Sequence, residues 1–364
     1  MDYQSRCTEW LLLDYNISKA ESRGRRIRMA DNEKKKRTLW EQAVENALRF
    51  AFNLAFVFIF QSIFGVHNVL PGVAIGVGMT MFPDGYIGVR PMTMAGIIIG
   101  LYCGCVIAGQ TALMLPAAAL VINFLFVLLI MALTCEPTMY KPAISFLLCF
   151  VFAQSTPVPP EAFPVRLAGA AAGGAAVAAV TVIKWYWQGH GKDGRGLKEQ
   201  IRLCTVRKGY ILRMSMGIAA AMFIGMVLHL RKPLWISIVV MSLTQLHYHE
   251  TLERIRHRFF GNVLGILFFV VVFRMLVPES WAFGMVLFLG YISFFTSEYK
   301  YKQIVNAVCA INASLVLLDT STAIENRLLC LAGGACIVLI LYLAQKLGRG
   351  IMGHTGAAAA CRTK

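Results

Sequence analysis

Long apolar stretches separated by short polar breaks run through most of this chain. From Leu48 to Trp187 only brief polar or Pro/Gly-containing segments interrupt the apolar residues, and the chain resumes the same pattern from residue 208. A helix that crosses a bilayer needs ~20 apolar residues, within a range of about 17–25. The pattern therefore predicts an all-α integral membrane protein with about twelve transmembrane helices. The predicted spans are 47–66, 70–83, 92–110, 114–134, 142–156 and 163–185 in the first half, and 208–229, 233–247, 259–277, 281–297, 303–319 and 324–346 in the second.

Similar segments recur in the two halves in the same order. YKPAI at 140–144 is similar to YKQIV at 301–305, and RLAGAAAGGA from Arg166 is similar to RLLCLAGGAC from Arg327, both 161 residues apart. PGVAIGVGMT pairs with PLWISIVVMS, and GIIIG with GNVLG, at nearly the same separation. Because each half holds an even number of predicted spans, both halves would insert in the same orientation. We therefore predict two parallel six-helix repeats.

The same pattern predicts how the chain is organised. In chain order, the predicted parts are a cytoplasmic N-terminal arm (1–40), a first six-helix membrane repeat (41–187), a basic cytoplasmic linker (188–207), a second six-helix membrane repeat (208–346) and a cytoplasmic tail (347–364).

Composition agrees with a membrane protein. The chain is 57% hydrophobic and 15% charged, whereas soluble domains carry about 45–50% apolar and about 25% charged residues. The formal net charge of +16 is concentrated in clusters at Arg23–Arg37 and Lys184–Arg213. These clusters flank apolar spans, so they favour a role in membrane orientation over nucleic-acid binding. Since basic loops tend to remain inside, we predict that both termini are cytoplasmic.

Neither the histidines nor the cysteines form a metal-binding or catalytic pattern. His247 and His249 in HYHE are two residues apart, so they would not share one face of a helix. We interpret HYHE as a cytoplasmic loop or helix end that leads into the N-terminal edge of the predicted span 259–277. Most of the ten cysteines lie in apolar segments, where they act as small hydrophobes. We predict no metal, no cofactor and no enzyme activity.

Cations next to apolar spans indicate a different kind of site. Arg166 and Arg327 occupy equivalent positions at the starts of spans 6 and 12, and Lys141 and Lys302 at the starts of spans 5 and 11. Ionisable residues near the membrane interior are costly and indicate function. The repeat thus predicts an anion pathway between the halves. The alternatives are that the lysines extend to the lipid headgroups and that each arginine only anchors its helix.

Small residues and short spans accompany these cations. Spans 2, 5, 8 and 11 are short and have proline or glycine near their ends, a pattern typical of transporter binding sites. Small residues near the arginines would let helices approach closely. The predicted packing glycines are Gly169, Gly173, Gly261, Gly265 and Gly334.

The stretch from Pro233 to Gly265 resembles the core motif of the fusaric-acid-resistance-like (FUSC) superfamily. That group includes bacterial aromatic-acid exporters and, more distantly, plant aluminium-activated malate channels. Its pattern is a Trp-containing span, a loop, and then Arg-x-x-Gly-x-x-x-Gly. Trp235 matches the first part, and Arg258, Gly261 and Gly265 match the last. The spacing recurs from Arg166, whereas Cys330 replaces the first glycine after Arg327 and Thr93 replaces the arginine in the first half.

The resemblance implies an exporter of aromatic or other organic carboxylate anions, driven by the proton gradient, in the bacterial inner membrane. It adds Arg258 to the anion-pathway residues and implies a periplasmic adaptor subunit as a partner. The lipid bilayer is a second partner, and homo-oligomerisation is left open. Larger exporters of this group carry a cytoplasmic domain that these residues do not match. A passive anion channel of the same fold and a non-transporting scaffold remain alternatives.

Overall fold

The computed structural model describes residues 39–361, apart from residues 83–86, 138–140, 190–193, 229, 231, 277, 296–297 and 315–318. The predicted arm at 1–40 therefore lies almost wholly outside the described residues. Two compact units divide the chain, Met1–Leu48 and Arg49–Lys364. Everything that follows concerns the second unit, apart from the bounds of the first helix.

The described chain is helical, as the apolar pattern predicts. Its thirteen α-helices are α1 (Leu39–Phe64), α2 (Val69–Met81), α3 (Pro91–Met114), α4 (Ala119–Thr134), α5 (Ala143–Ser155), α6 (Phe163–Trp187), α7 (Leu197–Val206), α8 (Lys208–Val227), α9 (Leu234–Leu243), α10 (Tyr248–Val271), α11 (Glu279–Ile292), α12 (Tyr299–Ser314) and α13 (Thr320–Cys361). Short 3-10 turns precede α2 and α6, and a π-helical turn, Val272–Leu276, continues α10. Outside the helices, a single isolated β-bridge joins Val89 to Arg195 among the described residues.

Within the described ranges, five helices are long and apolar enough to cross a membrane. These candidate spans are Trp40–Phe64, Pro91–Met114, Pro160–Trp187, Lys208–Val227 and Thr320–Leu347. Shorter apolar helices are Val66–Met81, Ala119–Thr134, Ala143–Ser155, Leu234–Leu243 and Phe283–Ile292. The prediction of a multi-pass helical membrane protein is confirmed, while the count of twelve spans and the two-repeat arrangement stay predictions.

Three segments contain helical residues beyond the predicted spans. The residues interpreted as a cytoplasmic loop before residue 259 form the first turns of α10, which begins at Tyr248. Thr251 is fully buried there and donates a hydrogen bond to the hydroxyl of Tyr342 at 3.0 Å, so packing against α13 stabilises these turns. The linker at 188–207 contains α7, and α13 continues into the predicted tail at 347–364.

In the first half, glycines let the helices pack closely around Phe60 of α1. A Cβ at Gly72 of α2 would lie 2.5 Å from the Phe60 ring, and one at Gly169 of α6 would lie 3.2 Å from it. One turn further along α6, a Cβ at Gly173 would lie 2.8 Å from Ile75 of α2. Real Cβ atoms hardly ever come closer than about 3 Å, so a side chain at Gly72 or Gly173 would require Phe60 or Ile75 to move, and glycine favours this close packing of α1, α2 and α6.

In the second half, glycines bring α10 against α12 and α13 against α9. A Cβ at Gly261 would lie 2.7 Å from Gln303 Cβ, and one at Gly265 would lie 2.6 Å from Ala307 Cβ. A Cβ at Gly334 would lie 2.5 Å from Val239 Cγ1. The structure therefore places all the predicted packing glycines at close contacts between helices.

Basic loops meet at one end of the bundle, which we call the basic end. The backbone of Arg195 pairs with Gly88 and Arg90, and Arg207 forms an ion pair with Glu136 at 3.0 Å. In the same way, the ammonium group of Lys141 donates to Gln245 Oε1 at 3.1 Å. These contacts connect the linker, the loop between α4 and α5, and the segment after α9.

Replacing Gly265 with alanine should destabilise the protein, because the new methyl group would lie 2.8 Å from the backbone carbonyl oxygen of Ile304. We expect a loss of about 1–3 kcal/mol, the usual cost of overpacking. Gly100→Ala is the matched control, since no described atom lies within 4 Å of its Cβ position. It should stabilise the helix by up to about 1 kcal/mol. Thermal unfolding in detergent measures both, and equal shifts would contradict the proposed packing.

Candidate anion site

Two arginines and an asparagine form a buried cluster in the second half. Arg258 and Asn262 lie one turn apart on α10, and Arg327 lies on α13. Residues four apart share one face of a helix, so α10 presents both polar side chains in the same direction. Only 3% of the Arg258 surface and 5% of the Arg327 surface are exposed. We call Arg258, Asn262 and Arg327 the buried arginine cluster.

Asn262 connects the two arginines. Arg327 Nε donates to Asn262 Oδ1 at 3.0 Å, and Asn262 Nδ2 donates to the backbone carbonyl of Arg258 at 2.8 Å. The Arg327 guanidinium carbon also lies 5.0 Å from the centre of the Trp235 ring, a distance typical of a cation–π contact. The asparagine side chain thus fixes the position of Arg327, and Trp235 covers one face of it.

Several donors of this cluster have no acceptor. Arg258 Nη1 donates to the Ser242 hydroxyl and, at 3.4 Å, to the Tyr299 hydroxyl, but its buried Nε has no partner. Arg327 donates through Nε alone among the described residues, to Asn262. Nearby along the helices, Asn326 Nδ2 is a further buried donor without a hydrogen bond, whereas Gln303 Oε1 is a buried acceptor without one. Unpartnered buried donors are rare in folded proteins and suggest a missing ligand.

No carboxylate compensates the two positive charges within the described part of the chain. The ion pairs Arg207–Glu136 and Lys300–Glu298 lie elsewhere. Arg258 and Arg327 are also close enough for their charges to interact. A guanidinium keeps its charge at all ordinary pH values. The cluster therefore holds two buried positive charges with few hydrogen-bond partners, and an anion would lower their energy.

Arg166, the sequence counterpart of Arg327, is bound quite differently. A guanidinium has five N–H donors, and all five have protein acceptors. Its Nε donates to Asn68 Oδ1 at 2.8 Å. The terminal nitrogens donate to the carbonyl oxygens of Ala153 (3.1 Å), Thr156 (2.5 Å) and His67 (2.7 Å) and to the Thr156 hydroxyl (3.3 Å). Arg166 therefore joins the loop before α2 to the end of α5 and has no donor left for a ligand.

The two predicted lysines also differ in their surroundings. Lys141 precedes α5 at the basic end, where its ammonium group contacts Gln245. Burial, followed by the nearby charge of Arg254, lowers the pKa of Lys141, whereas Glu250 acts in the opposite direction. Lys302 is exposed on α12. The structure thus brings Lys141 close to the cations of α10, whereas Lys302 faces outward.

Arg254 links Lys141 to the buried arginine cluster. It lies one turn before Arg258 on α10, donates to the Ser242 carbonyl at 3.3 Å and lies 4.7 Å from the centre of the Tyr299 ring. Ser242 and Tyr299 therefore contact both arginines. Asn262 and Arg254 are not among the residues predicted from the sequence to line the anion pathway. Asn262 could have been identified because it is a polar residue inside an apolar span, four positions after Arg258.

The histidine segment provides no metal site in the structure. His247 directly precedes α10, and His249 lies in its first turn. No group of three or more histidine, cysteine or acidic side chains that could hold a metal ion occurs in the described ranges.

Comparison with known proteins locates the family relationship in the second half. Residues 219–341 match the family model described as "Fusaric acid resistance protein-like". Neither the curated proteins nor the solved structures gave a match. The matched residues include the whole buried arginine cluster, and the family indicates a membrane transporter of the resistance type. The resemblance seen in the sequence is confirmed over residues 219–341, which match the fusaric acid resistance protein-like model.

Proposed function

We propose that this protein is a membrane exporter of organic carboxylate anions and that the buried arginine cluster binds the anion. One observation carries the proposal. Arg258 Nε is buried without a partner, Arg327 donates only through Nε among the described residues, and no described carboxylate lies nearby, whereas Arg166 has a full set of protein acceptors. A carboxylate supplies both the charge and the acceptors that the cluster lacks. Its two oxygens also match the planar fork of a guanidinium.

Aromatic carboxylates fit the surroundings of this cluster. Trp235 lies against Arg327, and the ring of Tyr299 lies beside Arg254. The ring of an aromatic acid would bury apolar area by stacking on these side chains, while the carboxylate of the same molecule would bind the guanidinium groups. This arrangement supports aromatic acids as substrates, in line with the resemblance to aromatic-acid exporters.

A series of cations leads from the basic end to the cluster. Lys141 lies near Arg254, Arg254 and Arg258 both contact Ser242, and Asn262 connects Arg258 to Arg327. We propose this series as the route of the anion. The route differs from the symmetric pathway that the repeat predicts, because it omits Arg166 and the exposed Lys302.

Matching contacts in the two halves support the proposed parallel repeat. Gly173 of α6 packs against α2, and Gly334, 161 residues later on α13, packs against α9. Likewise, α3 packs on α5 and α10 packs on α12. The short helices α2 and α9, and α5 and α12, are the corresponding pairs. With six membrane helices in each half, the basic end would face the cytoplasm.

Replacing Arg327 with glutamine should strongly reduce carboxylate transport. A hydrogen bond to a charged group is worth about 1.5–3 kcal/mol, so flux at low benzoate concentration should fall about tenfold or more. Arg327→Lys keeps the positive charge but loses the planar fork of N–H donors, so its flux should fall less. Benzoate flux into vesicles, normalised to folded protein, measures this. Repeating it without a pH gradient separates an exporter from a passive channel, which would keep its flux.

Arg166→Gln is the matched control. It should lower the yield of folded protein, because several buried carbonyl groups lose their donor, yet leave flux per folded molecule unchanged. Lys302→Gln should alter neither quantity. If Arg166→Gln and Arg327→Gln reduced the normalised flux equally, the symmetric pathway would be favoured over the buried arginine cluster.

The proposed orientation predicts which residues can be reached from outside the cell. In a variant without native cysteines, Val66→Cys should react with an impermeant maleimide in intact cells, because Val66 is 68% exposed at the end opposite the basic loops. Lys198→Cys, on the exposed side of α7, should react only after the cells are opened. Labelling of residue 198 in intact cells would reverse the orientation.

A further inference from the structure

The linker helix α7 lies within a short reach of two candidate membrane spans. It ends at Val206, and the span Lys208–Val227 begins two residues later. Two residues cover at most about 7 Å, so the end of α7 lies at the level where that span enters the bilayer. The span before the linker ends with Tyr186 and Trp187, and 87% of the Trp187 surface is exposed. Tyrosine and tryptophan concentrate at membrane–water interfaces, so both neighbouring spans place α7 near the membrane surface.

One face of α7 packs on the rest of the protein. Gln200 and Cys204, which lie one turn apart, are buried. Gln200 Nε2 donates to the carbonyl oxygens of Leu133 at 3.2 Å and Glu136 at 3.0 Å. Arg207, which directly follows α7, forms an ion pair with Glu136 at 3.0 Å. These contacts fix the rotation of α7 about its own axis, so they determine which of its side chains face outward.

The outward surface of α7 carries an apolar stripe beside a basic stripe. The apolar stripe consists of Leu197 and Ile201, with 42% and 40% of their surfaces exposed, and the basic stripe consists of the exposed Lys198 and Arg202. Residues four apart share one face of a helix, and a step of about 100° per residue places the two stripes side by side. Glu199, the acidic residue of α7, lies beyond the basic stripe, on the side away from the apolar stripe.

The basic stripe has no acidic partner among the residues that the structure describes, since neither Lys198 nor Arg202 takes part in an ion pair there. A helix with an apolar stripe next to exposed cations is typical of segments that lie in the membrane interface. Lipids without net charge would cover the apolar stripe but would add no negative potential for the cations. Anionic lipids supply both the apolar boundary and the negative charge.

We propose that α7 lies in the membrane interface and that Lys198 and Arg202 bind the phosphate groups of anionic lipids. The apolar stripe faces the acyl boundary, and the two cations extend to the headgroups. A bilayer fits this surface better than an acidic protein does, because the span that begins at Lys208 keeps α7 within reach of the headgroups. The lipid contact attaches the linker to the membrane and does not depend on the proposed transport function.

Fluorescence quenching of the full-length protein in nanodiscs tests the position of α7. In a variant without native cysteines, a fluorophore is attached to Ile201→Cys or, as the matched control on the same helix, to Glu199→Cys. The label at residue 201 should be quenched by nitroxide-labelled lipids and little by aqueous iodide, and the label at residue 199 should show the reverse. Equal iodide quenching at both positions, without quenching by lipids, would overturn the interfacial position of α7.

A comparison of two quenching lipids tests the preference for negative charge. At equal mole fractions in a phosphatidylcholine bilayer, nitroxide-labelled phosphatidylglycerol should quench the label at residue 201 severalfold more than nitroxide-labelled phosphatidylcholine. This ratio should fall toward one in the double variant Lys198→Gln/Arg202→Gln, and also at high salt, because salt screens exposed charges.

Lys302→Gln is the matched control for the charge variants, because it removes an exposed lysine on α12 and should leave the quenching ratio unchanged. Thermal unfolding confirms that all the variants fold. Equal quenching by the two lipids in the protein that retains both cations, or an unchanged ratio in the double variant, would contradict the binding of anionic lipids by α7.

Discussion

A buried arginine in an apolar helix bundle needs acceptors for five N–H donors and compensation for a permanent charge. Neither lipid tails nor packed hydrophobic side chains supply these. Arg166 obtains its acceptors from the protein, mostly backbone carbonyl groups. Arg258 and Arg327 do so only in part. This difference makes the first arginine a structural element and the other two a candidate binding site.

Close helix packing creates that difference. Because Gly261 and Gly265 let α10 approach α12, Tyr299 at the start of α12 reaches Arg258. On the other side, Gly334 brings α13 onto α9, and Arg327 then lies against Trp235. The hydrophobic packing thus determines which polar groups surround the charges.

The periodic features of the fold could be predicted from the sequence, and its local contacts could not. Apolar stretches predicted the membrane helices, and the repeated motif selected Arg327 and the packing glycines. Helix α7 was missed because its few apolar residues are interrupted by charges, and the start of α10 because its charged residues resemble a loop. Arg166 and Arg327 have the same sequence context, yet carbonyl oxygens from distant segments bind only Arg166. A sequence does not show where helix ends expose such carbonyl groups.

The end of α9 explains why some positive charges near the proposed route are better compensated than others. α9 ends at Leu243, and the carbonyl groups there carry the negative end of the helix dipole. Arg254 binds the Ser242 carbonyl in the last turn of α9, and Arg213 binds the carbonyl groups of Gln245 and Leu246, which follow the helix. The cations at the basic end are thus partly compensated by backbone dipoles, whereas the buried arginine cluster further along α10 has fewer acceptors. An anion would therefore be attracted most strongly inside the bundle rather than at its entrance.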